Sequence, residues 1–429
     1  MPGTIMPRTI MTEPPDLATG GLIAGRARPA AGAGRDNFVV LRTFAVLLII
    51  YGNDWMLLDL PGPGFWGVPL PQIGYGLLFA ISGYRVTASW DRTPSPAAFL
   101  AGRLVRVLPG LAVSVLATAF VIGPLCTTLR LRQYFLNGRT LRYLENAYLH
   151  LHLWLPGVFV GQASAGEVNP VLWSLLAGAL CCAVLPVLPV LASLPRRPRL
   201  AALAIAAAGC GAASLSLQHG VQGPPALLFG VSLPDILGMV PFFAVGALLR
   251  TLERRWPDLY RADFALLGYA ANWVVASWYD WWDVPVAWLT LPYMAICFGR
   301  MSAPLLRRVA DLGDLSYGLF LYAFPIQQAV LALRPGSPYA VPAALALTLV
   351  AAWLSWHCVE RPAMAWRYAL ADRLRAGTLI AAAKGREAIA MVRAGGPSTA
   401  TLDRVKDVDG RPSPTKARKG RRLARRARG

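Results

Sequence analysis

The chain has 429 residues, 55% of them hydrophobic and only 15% charged, with a mean hydropathy of +0.46. A soluble domain carries about a quarter charged residues, so a soluble globular protein is excluded. The net charge of +20 admits a nucleic-acid partner, but the charge sits at the two ends and in alternate short loops, as the positive-inside rule expects of a polytopic membrane protein.

In chain order, residues 1–36 are rich in Gly, Pro, Ala and Arg and have no short apolar core followed by a small-residue cleavage site. They read as a disordered cytosolic lead, with Met6 or Met11 as alternative starts. Ten apolar stretches follow, at approximately 38–54, 73–90, 104–124, 170–192, 200–217, 234–250, 262–278, 284–299, 312–333 and 340–359. Most run to roughly 17–23 residues, enough to span a bilayer. They predict an all-α integral membrane bundle of about ten transmembrane helices over residues 37–365. Arg92 and Arg103, Arg196 to Arg199, Arg250 to Arg255 and Arg300 to Arg308 fall on one side, with both termini. DLPGPGFWG, QHGVQGPP and YDWWD fall on the other and lack a basic residue. This alternation predicts an inner-membrane protein with cytosolic termini.

The long outer segment 125–169 departs from the charge rule, with Arg130, Arg132, Arg139 and Arg142. Its LRYLENAYLHLHLWL run is aromatic and amphipathic and predicts a re-entrant or interfacial helix. YDWWD and Trp278 suit an interfacial aromatic belt better than a sugar-stacking platform. The tail, residues 366–429, holds 17 Lys/Arg against five Asp/Glu from Arg367 onward, and reads as a solvated basic segment lying on anionic lipid. Six cysteines show no CxxC spacing and no paired histidine cluster accompanies them, so no metal and no disulfide framework is indicated. No repeat relates the two halves of the chain.

Several polar groups interrupt the apolar stretches. Arg42 and Asn53 are eleven residues apart in the first span, on one helical face and about 16 Å apart along the axis. An intramembrane charge is a functional-site hypothesis, and its alternative is an arginine that snorkels to the headgroups. Asp54 adjoins Asn53 but points ~100° away on a helix, so it needs a helix end or break to share Asn53's surroundings. The YGND sequence favours such an end. Ser82-Gly83-Tyr84 closes the second span, and Arg103 and Arg106 form an Arg-x-x-Arg pair before Pro109. Trp173, Ser174 and Leu175 open the fourth span. LGDLSYGLFLYAFP opens the ninth, and Glu360-Arg361-Pro362 closes the tenth.

In this order the motifs resemble the membrane acyltransferase-3 family, the O-acetylases of polysaccharide and lipopolysaccharide. The resemblance covers roughly residues 37–365. It implies an acyltransferase that takes acyl, in most members acetyl, from cytosolic acyl-coenzyme A and places it on a carbohydrate or glycolipid hydroxyl. It implies Arg42 and Asn53 as catalytic, Arg103, Arg106 and Tyr84 as donor-binding, and Trp173, Ser174, Ser316 and Tyr317 as substrate contacts; Asp54, beside Asn53, is the nearest candidate base and joins the catalytic set. Three positions depart from the family: Asn53 and Ala323 replace histidines, and Gly178 replaces a glutamate. A carboxamide orients a hydroxyl by hydrogen bonds but takes no proton. The departures therefore keep a second reading open, a catalytically reduced relative that serves as a binding or accessory subunit. A transporter ranks behind both, because few charges occupy the spans.

Overall fold

Runs of apolar residues that satisfy their own backbone hydrogen bonds are the stable form in lipid, and the chain forms helices wherever such runs occur. The computed structural model describes residues 37–92, 96–164, 166–187, 196–220, 225–253, 255–278, 283–301 and 313–366. The lead, the tail and residues 279–282 of the YDWWD cluster lie outside the described residues. The helices are α1 (Phe38–Leu57), α2 (Leu70–Arg92), α3 (Pro96–Ala117), α4 (Gly123–Cys126), α5 (Leu131–Phe135), α6 (Gly138–Tyr143), α7 (Trp173–Val187), α8 (Arg196–Gly220), α9 (Leu233–Glu253), α10 (Ala262–Trp278), α11 (Asp283–Arg300), α12 (Ser316–Leu333) and α13 (Ala340–Ser355). One π-helical turn, Thr118–Ile122, joins α3 to α4, and another, Trp356–Glu360, continues α13.

Helices occupy all ten expected positions, and among the described residues six are long and apolar enough to cross a membrane: Phe38–Leu57, Phe99–Cys126, Arg197–Gln218, Leu233–Glu253, Ser316–Leu333 and Ala340–Trp366. The expected count of about ten crossings thus stands at six by length and composition. The described parts of α7 and α10 run to only 15 and 17 residues, and α2 carries Gln72, Arg85, Asp91 and Arg92. The protein is a multi-pass membrane protein.

α2 and α9 form the centre. α9 packs on α2, α8 and α11, α1 packs on α2 and α12, and α13 packs on α12. Glycine makes the central crossing possible. A Cβ at Gly83 would collide with the Phe243 carbonyl oxygen, and one at Gly246 with that of Ala80. Small residues at such a crossing let two backbones touch. Gly83→Leu or Gly246→Leu is expected to lower stability by about 1–3 kcal/mol through overpacking, read as an earlier thermal transition of detergent-purified protein.

The two central helices are copies of one unit. Phe65-Trp66-Gly67-Val68-Pro69-Leu70-Pro71-Gln72-Ile73 corresponds to Leu228-Phe229-Gly230-Val231-Ser232-Leu233-Pro234-Asp235-Ile236. Each opens with a two-stranded antiparallel hairpin, β1 (Gly64–Phe65) with β2 (Val68–Pro69), and β3 (Leu227–Leu228) with β4 (Val231–Ser232). Each hairpin turns on two residues of positive φ, Trp66 at 56° and Gly67 at 77°, Phe229 at 50° and Gly230 at 84°. Such turns match the twist of the strands. Gly83 and Gly246 each stand thirteen residues beyond the leucine that opens their helix. The chain therefore does contain an internal repeat. The repeat is one hairpin and one helix long, not half the molecule.

The outer segment forms no long interfacial helix. Among its described residues it is two short helices, α5 and α6, a 3-10 turn at Leu144–Tyr148 and then turns, bends and isolated bridges toward Asn169. Leu149 turns left-handed at φ 68°, which ends any helix over LRYLENAYLHLHLWL. Tyr134 anchors the segment: it is fully buried against Gly123, and its hydroxyl donates to the Ala119 carbonyl at 2.8 Å.

Candidate active site

The polar side chains of the bundle gather at two ends of α1. At its first turns, Arg42 Nη2 donates to Asp314 Oδ2 at 2.6 Å, and Arg106 Nη2 donates to the same oxygen at 3.2 Å. Ser316 Oγ donates to Asp314 Oδ1 at 2.6 Å. Burial pushes the Asp314 carboxyl up, but the guanidiniums of Arg42 and Arg106, with Ser316 and the more distant Arg85, outweigh it and hold it below the usual carboxylate range. Beside this cluster the Tyr317 hydroxyl donates to the Val107 carbonyl at 2.7 Å, and its ring fills the space above Gly110. Arg42 Nε is buried with no partner among the described residues.

Two other expected donor-binding residues flank this cluster. The Arg103 guanidinium lies over the Phe99 ring, 5.4 Å from its centre. The Tyr84 hydroxyl donates to Glu253 Oε2 at 2.8 Å and accepts from Arg300 Nη1 at 3.0 Å, and Glu253 also pairs with Arg250 and Arg300. The Phe38 ring stacks on Tyr84 at 5.5 Å and lies under the Arg85 guanidinium. Tyr84 thus uses its hydroxyl within an ion-paired cluster that ties α2, α9 and α11 together.

Eleven residues further along α1, Asn53 and Asp54 are both buried. The helix does not end at YGND. It continues to Leu57, so Asn53 and Asp54 keep their helical divergence. Gly52 serves packing: a Cβ there would collide with the ring of Pro71 at the start of α2. Asp54 Oδ1 accepts from Gln327 Nε2 at 2.6 Å, and the same nitrogen donates to the Ile50 carbonyl at 3.0 Å. Gln327 Oε1 is buried without a partner among the described residues. The next residue, Gln328, binds the outer segment: its side chain accepts from Ser164 Oγ at 2.5 Å and donates to the Glu167 carbonyl at 2.6 Å. Burial raises the Glu167 carboxyl.

At this same end of the bundle lies a cavity of about 480 Å³, lined among others by Gln72, Tyr75, Trp173, Gln218, Asp235 and Trp288. Pro71, which packs on Gly52, also lines it. Gln72 and Asp235 are corresponding positions of the internal repeat, so the cavity opens between the two hairpin-helix units. Tyr75 and Trp173 lie 5.1 Å apart, and Trp288 Nε1 is buried with no partner among the described residues. Aromatic faces with a few convergent polar groups are the composition of a small-ligand site. Ser174, next to Trp173, donates within its own chain to the Val171 carbonyl at 3.1 Å and sets the start of α7.

The residues read from the sequence therefore divide. Arg42, Arg106, Ser316 and Tyr317 meet at one end, with Arg103 and Tyr84 beside them. Asn53, Asp54, Trp173 and Ser174 stand at the other. Asp314, Gln327, Tyr75 and Trp288 were missed. Asp314 had a legible signal, a lone acid in LGDLSYG on the side where arginines collect. Of the departures, Ala323 is buried in α12, and a Cβ at Gly178 would meet nothing within 4 Å.

The acyltransferase-3 family model, described as an acyltransferase domain, matches residues 36–357, about three quarters of the chain. Nodulation protein 10 of Rhizobium leguminosarum bv. viciae is 26% identical over 362 residues, 79% of this chain and 96% of its own length. An O-acetyl transferase of Shigella phage Sf6 is 24% identical over 340 residues, 76% of this chain and 94% of its own. No solved structure matches significantly.

Proposed function

The chain belongs to the acyltransferase-3 family, and from that premise we propose that it moves an acyl group, acetyl by preference, from acyl-coenzyme A to a hydroxyl of a cell-surface carbohydrate or glycolipid. The observation that carries the reading is the separation of charge along α1: guanidiniums at one end, and at the other a buried carboxylate, at the end of the bundle where the aromatic cavity opens. Arg42, Arg103 and Arg106 suit the phosphates of the donor, because guanidinium forks match phosphate oxygens. The arm of the donor would then run along α1, about 16 Å, to bring its thioester to Asp54. The acceptor sugar lies in the cavity against Tyr75, Trp173 and Trp288, with Gln72, Gln218 and Asp235 reaching its hydroxyls. Asp54 takes the proton of the attacking hydroxyl as the C–O ester bond forms, the thioester C–S bond breaks, and the leaving coenzyme A thiolate takes up that proton, while Gln327 fixes the carboxylate. The printed name of the phage relative supports acetyl and an oxygen acceptor. The arginine-rich loops support an inner membrane with the guanidinium end cytosolic. Surrounding lipids, not nucleic acid, are the other partners, and no protein partner is assigned.

Acyl transfer from radiolabelled acyl-coenzyme A, assayed in membranes, tests this reading. Asn53, Gly178 and Ala323 favour a second one, a reduced relative that binds without catalysis. Label transferred by the native chain supports the first. Label transferred only by Asn53→His supports the second. Trp173→Ala or Trp288→Ala is expected to raise the acceptor KM about tenfold or more with donor binding unchanged, since each aromatic contact is worth about 1–3 kcal/mol of burial.

A further inference from the structure

Outside both polar ends, three ligating side chains converge on the outer segment. Glu145 lies in the 3-10 turn, the chain reverses at the left-handed Leu149, and His150 and His152 return toward it. His150 Nδ1 stands 2.7 Å and His152 Nε2 2.9 Å from one carboxylate oxygen, Glu145 Oε2. The three ligand atoms lie within 4.8 Å of one another, and the imidazole centres are 4.8 Å apart. The His-x-His spacing is visible in the sequence but does not by itself point to Glu145. The turn at Leu149 makes the cluster.

The turn is built before any ion arrives. Asn146 Nδ2 donates to the carbonyls of Tyr143 at 2.8 Å and His152 at 2.9 Å, and its Oδ1 accepts from the His152 amide at 2.9 Å. The Leu151 amide donates to the Phe229 carbonyl at 3.2 Å, which docks this turn on the second hairpin. That hairpin leads directly into α9 and Asp235 of the cavity.

We propose that Glu145, His150 and His152 bind one divalent transition-metal ion, zinc by preference, and that the ion stiffens the outer segment against the β3–β4 hairpin. Two imidazoles and one carboxylate are a zinc-type donor set, whereas calcium and magnesium take oxygen. Bonds of about 2.0–2.2 Å in tetrahedral geometry put neighbouring ligand atoms about 3.3–3.5 Å apart, so the two imidazole–carboxylate pairs open by about 0.4–0.8 Å while the two imidazoles draw together. Each imidazole now shares a proton with the carboxylate. On binding, that proton moves to the other ring nitrogen, and the freed lone pair meets the metal. A fourth position remains for water.

The chain has only four histidines, which makes the test clean. Full-length protein, detergent-purified with its affinity tag removed and stripped by chelator, is titrated with Co²⁺ and with Zn²⁺ alone. One Co²⁺ per chain with the visible spectrum of a nitrogen- and oxygen-ligated site is expected, and Zn²⁺ raises the thermal midpoint. His150→Ala plus His152→Ala abolishes both effects, Glu145→Gln weakens binding about tenfold or more, and His219→Ala plus His357→Ala changes neither. His152→Gln alone serves as the comparison should the double variant fold poorly. Equal metal content in the native chain and these variants, or none in the native chain, overturns the proposal.

Discussion

Asp54→Asn lowers acyl transfer by about 10²–10⁴-fold, the usual loss when a general base is removed, while donor affinity stays within a factor of two or three. The substitution keeps the shape of the side chain and an oxygen for Gln327 Nε2, the group now 2.6 Å from Asp54 Oδ1. Proton acceptance and the negative charge disappear. The same assay on Asn53→Ala separates the neighbours: an orienting carboxamide costs far less than a base, so its loss is expected to be milder. Equal losses at the two positions would say that the helix, and not the carboxylate, is being disturbed.

Asp314→Ala destabilises the protein by about 1–3 kcal/mol, measured by thermal unfolding in detergent, because it strands a half-buried guanidinium. Asp314 and Arg42 are 15% and 17% exposed, and Arg106 at 34% is better hydrated and contributes less. Removing the charge from both sides relieves the problem, so Arg42→Ala plus Asp314→Ala is more stable than the sum of the single losses predicts. The sign of the pH effect follows from the lowered carboxyl. The unfolded chain binds the Asp314 proton more tightly, with a value of about 3.9. The stabilisation is complete above that value and is lost as pH falls below it, toward and through the folded value. Asp314→Asn is expected to flatten this acid limb of stability against pH.

The ten helical positions were legible because lipid leaves a chain few alternatives, and an apolar run of sufficient length announces itself. Arg42 was legible as a lone charge in such a run. What stayed hidden depends on partners distant in sequence. Asp314 matters because Arg42 and Arg106 reach it from two other helices. Gln327 carries no charge and stands in an apolar helix, so nothing in the residue type marks it. Gly52 looked like a helix end, and its use is the close approach of Pro71. Tyr84 looked like a ligand contact, and its hydroxyl is engaged by Glu253 and Arg300. The repeat of α2 and α9 was written in the sequence, in GVPLPQI and GVSLPDI, but at a length shorter than a half-chain comparison detects.

Sealed vesicles of defined orientation test the two-ended arrangement most directly. Membrane-impermeant radiolabelled acyl-coenzyme A is supplied outside inverted vesicles, which in the proposed orientation expose the face bearing Arg42, Arg106 and Asp314, and outside right-side-out vesicles, which in that orientation expose the hairpins and the aromatic cavity. Label reaching the acceptor only in the inverted preparation is the predicted result. Transfer from donor supplied on the hairpin face would contradict the account.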